Sequence, residues 1–160
     1  NVDPKKLMPH VKNTIERGKK VMASDYAKAL AQLSEYRFKM ERIFSKFDFI
    51  ISPTVAIPPH KCNERPNIIN GKIDISRIDD KEMFEENNYD YSSWIFVLAQ
   101  FTAPFNWSGN PAVSLPCGFT KSGLPIGLQL AGRKRGELSL IQASKAFEEI
   151  KPWHQNRPSL

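Results

Sequence analysis

The sequence predicts an α/β fold in which a mixed sheet is covered by helices on both faces. Three observations carry that expectation. Phe47-Asp-Phe-Ile-Ile-Ser-Pro-Thr54 is apolar at consecutive positions and is stopped by Pro53, the pattern of a short strand packed on both sides. Ala112–Pro116 and Ile126–Leu130 are two further strand-like runs, separated by Gly118 and Gly123 closely enough to pair antiparallel. Stretches with apolar residues at helical spacing lie before and after these strands, as a covered sheet requires.

At 160 residues and 41% hydrophobic content the chain can bury one core, so it is one domain or a piece of a larger one. It divides into a helical segment over 1–46, a strand plus long loop over 47–91, and a helix, two strands and a terminal helix over 92–160. The spacing predicts a first helix over 5–20 with Met8, Val11 and Ile15 as its apolar stripe. Ser24 is the expected N-cap of a second helix, with Asp25 in its first turn. Tyr26, Leu30, Leu33, Met40, Phe44 and Phe47 then form a long stripe facing a core. Arg37 interrupts that stripe; it reads either as a side chain snorkelling past the core edge or as an ion-pair partner for a neighbouring element.

Residues 55–91 are rich in Pro, Asn, Asp and Lys, a composition suited to a lid, a surface cover or a partner contact. Within them Asn70-Gly71, between Ile68-Ile69 and Ile73, predicts a small hairpin, and the acidic run Asp79–Glu86 faces solvent. Ser92 or Ser93 is expected to cap a helix through Trp94, Val97, Leu98 and Phe101 that ends near Pro104. The last helix spans Glu137–Ile150, with Leu138, Ile141, Ala143, Ala146, Phe147 and Ile150 as its buried side, and Pro152 ends it.

Charge and composition exclude several functions. The formal charge is +6, and residues 1–46 hold 11 Lys/Arg against 5 Asp/Glu. Those positives alternate with Glu16, Asp25, Glu35 and Glu41, and no nucleic-acid-binding motif accompanies them. A solvated helix face is therefore expected, with no nucleic-acid partner. The longest apolar runs are far too short to cross a bilayer, so no membrane partner is expected. Cys62 and Cys117 lie far apart without a CxxC pair, which suits free thiols in a reducing cytoplasm. His60 stands near Cys62, but no second Cys/His cluster completes a ligand set, so neither a metal nor a cofactor is expected.

The richest stretch is Phe101-Thr-Ala-Pro-Phe-Asn-Trp-Ser-Gly-Asn-Pro-Ala-Val-Ser-Leu-Pro-Cys-Gly-Phe119 with Gly123-Leu-Pro-Ile-Gly-Leu-Gln-Leu-Ala-Gly132. Asn106, Gly109, Pro111, Ala112, Ser114, Pro116, Gly118, Gly123, Leu124, Pro125, Gly127, Gln129 and Gly132 stand in a register that resembles the C-terminal part of amidase signature family enzymes. Ser52-Pro53-Thr54 resembles that family's earlier strand-end motif, and Trp153-His154 with Pro158 its terminus. The resemblance implies a hydrolase of carboxamides with a Ser-Ser-Lys catalytic set. A lysine held neutral takes the nucleophile's proton through a second serine, and amides of a glycine-rich loop hold the oxyanion.

None of that machinery matches here. The eight glycines include no adjacent pair, and the doublet Ser92-Ser93 lacks neighbouring glycines. No catalytic residue is therefore carried over. The chain opens at Asn1, and the expectation is that the catalytic set lies upstream in the same polypeptide. Asn106, Trp107, Gly109 and Asn110, expected at a strand end where ligands of α/β sheets collect, are the candidate substrate-binding residues.

The expected partners are a small-molecule amide, the upstream part of the polypeptide and a second copy in a homodimer. In transamidating A subunits an acidic residue before the Thr-x-Pro motif binds the glutamine amine, and Ala99 holds that place here. An apolar or aryl carboxamide is therefore preferred over glutamine. The alternatives are a catalytically silent amidase-derived interaction domain, a basic nucleic-acid-binding module and a glutamine-dependent amidotransferase A subunit. Unsatisfied strand edges are expected around Phe49 and Val113. With nucleophile and base absent, the purified 160-residue chain is expected to release no ammonia or amine from any carboxamide; serine-dependent turnover by this chain would contradict the reading.

Overall fold

A computed structural model describes residues 7–61, 64–69, 72–77 and 97–156. The predicted Asn70-Gly71 turn, the acidic run, the Ser92/Ser93 cap, Trp94, Cys62 and Pro158 lie outside those residues. The described residues form two compact units: one draws on the stretches up to Gln32 and on His60–Val97, the other on Leu33–Pro59 and on the chain from Leu98 onward.

In the first unit, α1 (Pro9–Lys19) opens with proline in its first turn, where a missing N–H costs nothing, and closes with Arg17 and Lys19 near its negative end. Two strands, β2 (Glu64–Ile69) and β3 (Lys72–Arg77), pair antiparallel, with Ile69 opposite Lys72. Only residues 70 and 71 lie between them, the spacing of the hairpin expected from the sequence. Helix α2 (Ala23–Phe44) runs through both units. It begins earlier than expected: Met22, whose carbonyl accepts from the Asp25 and Tyr26 N–H groups, precedes it, and Ser24 lies within its first turn rather than capping it.

The second unit is built on a three-stranded antiparallel sheet of order β1-β5-β4, with β1 at Phe49–Pro53, β4 at Ala112–Phe119 and β5 at Pro125–Gly132. The β4–β5 hairpin places Val113 opposite Leu130 and Leu115 opposite Leu128, with a bulge at Cys117 between Pro116 and Gly118. On β5's other side Ile50 faces Ala131 and Ser52 faces Gln129. Among the described residues β1 and β4, which carry Phe49 and Val113, are the outer strands of this sheet.

Strand alternation sends neighbouring side chains to opposite faces. Leu115, Leu130, Phe49 and Val113 pack with Leu140 and Phe147 of α4 (Glu137–Ile150). Ala131 and Ile50 pack the other way, against Met40, Phe44 and Tyr36 of α2 and Phe105 of α3 (Ala103–Ser108). Helices cover the sheet on both faces, as the sequence predicts. Two exposed ion pairs, Asp48–Arg133 and Glu41–Lys134 (2.6 Å), fasten the β5–α4 connection to the start of β1 and to α2. Being exposed, each contributes at most about 1 kcal/mol.

The structure corrects three details. Within α2 only Met40 and Phe44 of the expected stripe are buried; Tyr26, Leu30 and Phe47 are exposed. Ile51 of β1 is 64% exposed, because an edge strand's outer side chain extends past the helix that covers the centre. The helix before β4 does not end at Pro104. Val97–Ala99 is helical, a turn follows, and α3 starts with Pro104 in its first turn.

Helix α4 has the expected bounds but presents a different side. Leu140 is buried and Ala143, Ser144 and Phe147 are half-buried, whereas Leu138, Ile141 and Ile150 are exposed. Two apolar stripes share this helix, and periodicity alone does not say which one meets the sheet.

Helix α3 closes on Gly109 at φ 75°, a left-handed conformation, and both the Gly109 and Asn110 N–H groups return to the Phe105 carbonyl. Gly109→Ala should therefore destabilise the chain by about 1 kcal/mol, with Gly109→Asn costing less. In equilibrium denaturant unfolding of this chain, Leu140→Ala should cost about 3 kcal/mol and Leu138→Ala no more than about 0.5 kcal/mol. Equal losses at the two leucines would contradict the observed orientation of α4.

Candidate functional site

A six-residue helix such as α3 has no stability of its own, so its position must come from what it touches. Gln129, buried among the apolar residues of β5, donates through Nε2 to the Phe101 carbonyl (2.8 Å) and to Ser52 Oγ (3.0 Å). Tyr36 Oη donates to the Pro104 carbonyl (3.3 Å). Arg37 Nε donates to the Trp107 carbonyl at the helix's far end (3.0 Å). Burial pushes the Tyr36 phenol up from its ordinary value, so it stays a protonated donor throughout the neutral range. Thr102, just before α3, closes the preceding turn by donating its N–H (3.0 Å) and its hydroxyl (3.3 Å) to the Ala99 carbonyl.

The four candidate substrate-binding residues occupy this helix and its exit. Asn106 and Gly109 are exposed. Trp107 is 58% exposed, and its ring meets Tyr36 edge-on, with centroids 6.3 Å apart and planes at 78°. Asn110 differs from the others: it is buried, and its Nδ2 donates to the Gly132 carbonyl at the end of β5 (2.9 Å). That bond joins α3's exit to the central strand. The structure therefore gathers the four at one end of the β4–β5 pair, three facing solvent and one engaged with the sheet.

Among the described residues, two cavities lie elsewhere in this unit. One of about 340 Å³ is lined by Asp48, Phe49, Arg133, Gly136, Ser139 and Gln142. The other, of about 540 Å³, lies beyond the hairpin turn among Pro116, Phe119, Leu124, Pro125, Trp153 and Asn156. Neither includes any of the four candidates.

Sequence reasoning missed Tyr36 and Gln129 as the groups that position α3. A signal was present in Gln129, a lone amide in an apolar strand, and in Arg37, which breaks its stripe. Arg37 reaches a backbone carbonyl of another element, and among the described residues it forms no ion pair. On the same sheet face as Gln129, the Thr54 and Ser114 hydroxyls lie 2.6 Å apart across Gly127. A Cβ at 127 would meet Thr54 Oγ1 at 2.7 Å, so any larger residue there must displace the Thr54 and Ser114 side chains.

Comparison with known proteins places this architecture. The Amidase family profile matches residues 1–141. Among curated sequences, the chain is 35% identical over 135 residues to the A subunit of glutamyl-tRNA(Gln) amidotransferase from Thermodesulfovibrio yellowstonii, covering 84% of this chain and 23% of the relative. It is 29% identical over 150 residues to a putative amidase, AmiD, of Mycobacterium tuberculosis, covering 94% of this chain and 27% of that protein. Among solved structures, a 6-aminohexanoate cyclic dimer hydrolase superposes with a TM-score of 0.75 at 25% identity, over 99% of this chain and 31% of that one. A bacterial aryl acylamidase superposes with a TM-score of 0.71 at 26% identity, over 97% and 30%. The chain thus matches only 23–31% of the length of these relatives. With the profile covering most of the sequence and the sheet and helices reproduced, the chain belongs to the amidase signature family.

Proposed function

We propose that this chain is the C-terminal portion of an amide hydrolase that cleaves an apolar or aryl carboxamide to a carboxylate and ammonia or an amine. Nucleophile and base, the Ser-Ser-Lys set implied by family membership, lie upstream of this chain in the same polypeptide. This portion contributes the central strand β5, its covering helices and one wall of the substrate site at α3. The full protein acts in the cytoplasm, on a small-molecule amide and without a cofactor, and a homodimer is its proposed assembly.

The observation that carries the substrate class is Ala99. It stands three residues before Thr102, where resemblance to amidotransferase A subunits calls for an acidic side chain to hold the glutamine amine. A methyl group supplies no counter-charge for an ammonium, and the Ala99 carbonyl already accepts two bonds from Thr102. Aromatic Phe101, Phe105 and Trp107 follow in the same stretch. The likeness to the aryl acylamidase and the cyclic dimer hydrolase supports the hydrolase reading.

One observation favours a second reading. The 35% identity to an amidotransferase A subunit exceeds that to the mycobacterial amidase. A direct comparison separates the two. The full-length protein is expected to hydrolyse an aryl or alkyl carboxamide and to release no ammonia from glutamine, while Ala99→Asp weakens turnover of the apolar amide. Glutaminase activity that feeds a misacylated tRNA would establish the second reading, and no turnover of either amide would leave the silent interaction domain.

A further inference from the structure

We propose that Tyr36, Arg37 and Gln129 are positioning residues that form a three-point clamp on the backbone of α3 and of the turn that leads into it, fixing Asn106 and Trp107 for substrate. The proposal rests on the amidase reading above. Its physical basis is the spacing of the carbonyls they hold. Gln129 takes Phe101, Tyr36 takes Pro104 and Arg37 takes Trp107, so the accepting groups recur every third residue. Within α3 the Pro104 and Trp107 carbonyls, three residues apart, neighbour each other on the helix, while Phe101 accepts in the turn that precedes it. Donors from two separate elements, α2 and β5, therefore hold the turn, the start of the helix and its end.

Three features separate this arrangement from ordinary packing. Most short helices are held by an apolar face, and α3 does bury Phe105 against Met40 and Phe44. That contact sets depth but resists rotation and sliding weakly, because dispersion is non-directional. Hydrogen bonds to successive carbonyls fix both. The second feature is chemical. Arg37 spends a guanidinium on a main-chain carbonyl near the helix's negative end, an interaction that a cation strengthens.

The third feature is what the clamp presents. The Trp107 ring stands exposed with its edge geometry set by Tyr36, the same residue that holds Pro104, and the exposed Asn106 amide is its sequence neighbour. A flat apolar surface beside an amide suits the aryl or alkyl body and the carbonyl of a carboxamide. Pre-fixing that surface removes ordering cost from substrate binding, so the clamp acts on KM rather than on the chemical step.

The test uses the full-length enzyme and four variants. Tyr36→Phe keeps the ring contact with Trp107 and removes only the bond to Pro104. Gln129→Met removes the bond to Phe101, and Ser52→Ala removes Gln129's other partner while leaving the clamp whole. Leu140→Ala lowers stability from the opposite face of the sheet. Tyr36→Phe and Gln129→Met should raise KM for an aryl carboxamide about tenfold with kcat within about twofold, and should speed amide hydrogen exchange over residues 103–109. Ser52→Ala and Leu140→Ala should leave KM unchanged. Faster exchange with KM unaltered, or an equal KM rise in Leu140→Ala, would overturn the positioning role. Because exchange is read independently of turnover, an inert wild-type enzyme that still shows faster exchange in the clamp variants would refute the amidase reading and the clamp's substrate role with it, while locating the failure in the reading.

Discussion

The second unit depends on β5, which among the described residues is the one strand of its sheet paired on both sides and packed on both faces. Its consecutive residues do three different jobs. Leu130 packs toward α4, Ala131 toward α2 and α3, and Gln129 reaches out of the strand to the turn before α3. Remove β5's pairing and β1 and β4 share no partner, the two covering layers lose their common wall, and α3 loses two of its anchors, from Gln129 and through Asn110 to Gly132. A strand with this many obligations must be near-continuously apolar and still carry one amide, and Pro125–Gly132 meets both conditions.

Much of this was legible in the sequence. The strands showed because apolar runs bounded by glycine and proline have few alternatives, and the bounds of α4 matched because Gly136 and Pro152 punctuate it. The orientation of α4 was not legible. Leu138 and Ile141 are as hydrophobic as Leu140 and Phe147, and only the position of β4 and β5 selects between the stripes. Pro104 misled for a related reason: the same ring that stops one helix is well placed to start another. The placement of Asn106, Trp107, Gly109 and Asn110 together at one strand end was legible, but the bond made by Asn110 was not, because its partner, the Gly132 carbonyl, lies 22 residues away. Arg37's partner lies 70 residues away, beyond any local pattern.

The apolar residues left exposed follow a geometry of their own. Ile51 lies on an edge strand, while Leu138, Ile141 and Ile150 lie on α4. Ile51 shares its sheet face with Phe49, Val113 and Leu115, the side to which α4 is packed. The opposite face changes character along its length, from Ile50 and Ala131 under α2 to the Ser52, Thr54, Ser114 and Gln129 polar groups beyond. Such a division leaves one end of this face packed under a helix and the other lined by hydroxyls and an amide that bond one another.

The central claim is that α3 lines the site where the amide is cleaved. The most direct measurement is a crystal structure of the full-length protein inactivated by an arylphosphonofluoridate, from which the serine oxygen displaces fluoride while the carbon-bound aryl group stays on phosphorus. The account predicts a phosphorus–serine adduct whose aryl group lies in van der Waals contact with Trp107 or Asn106. An adduct seated away from α3 would contradict it.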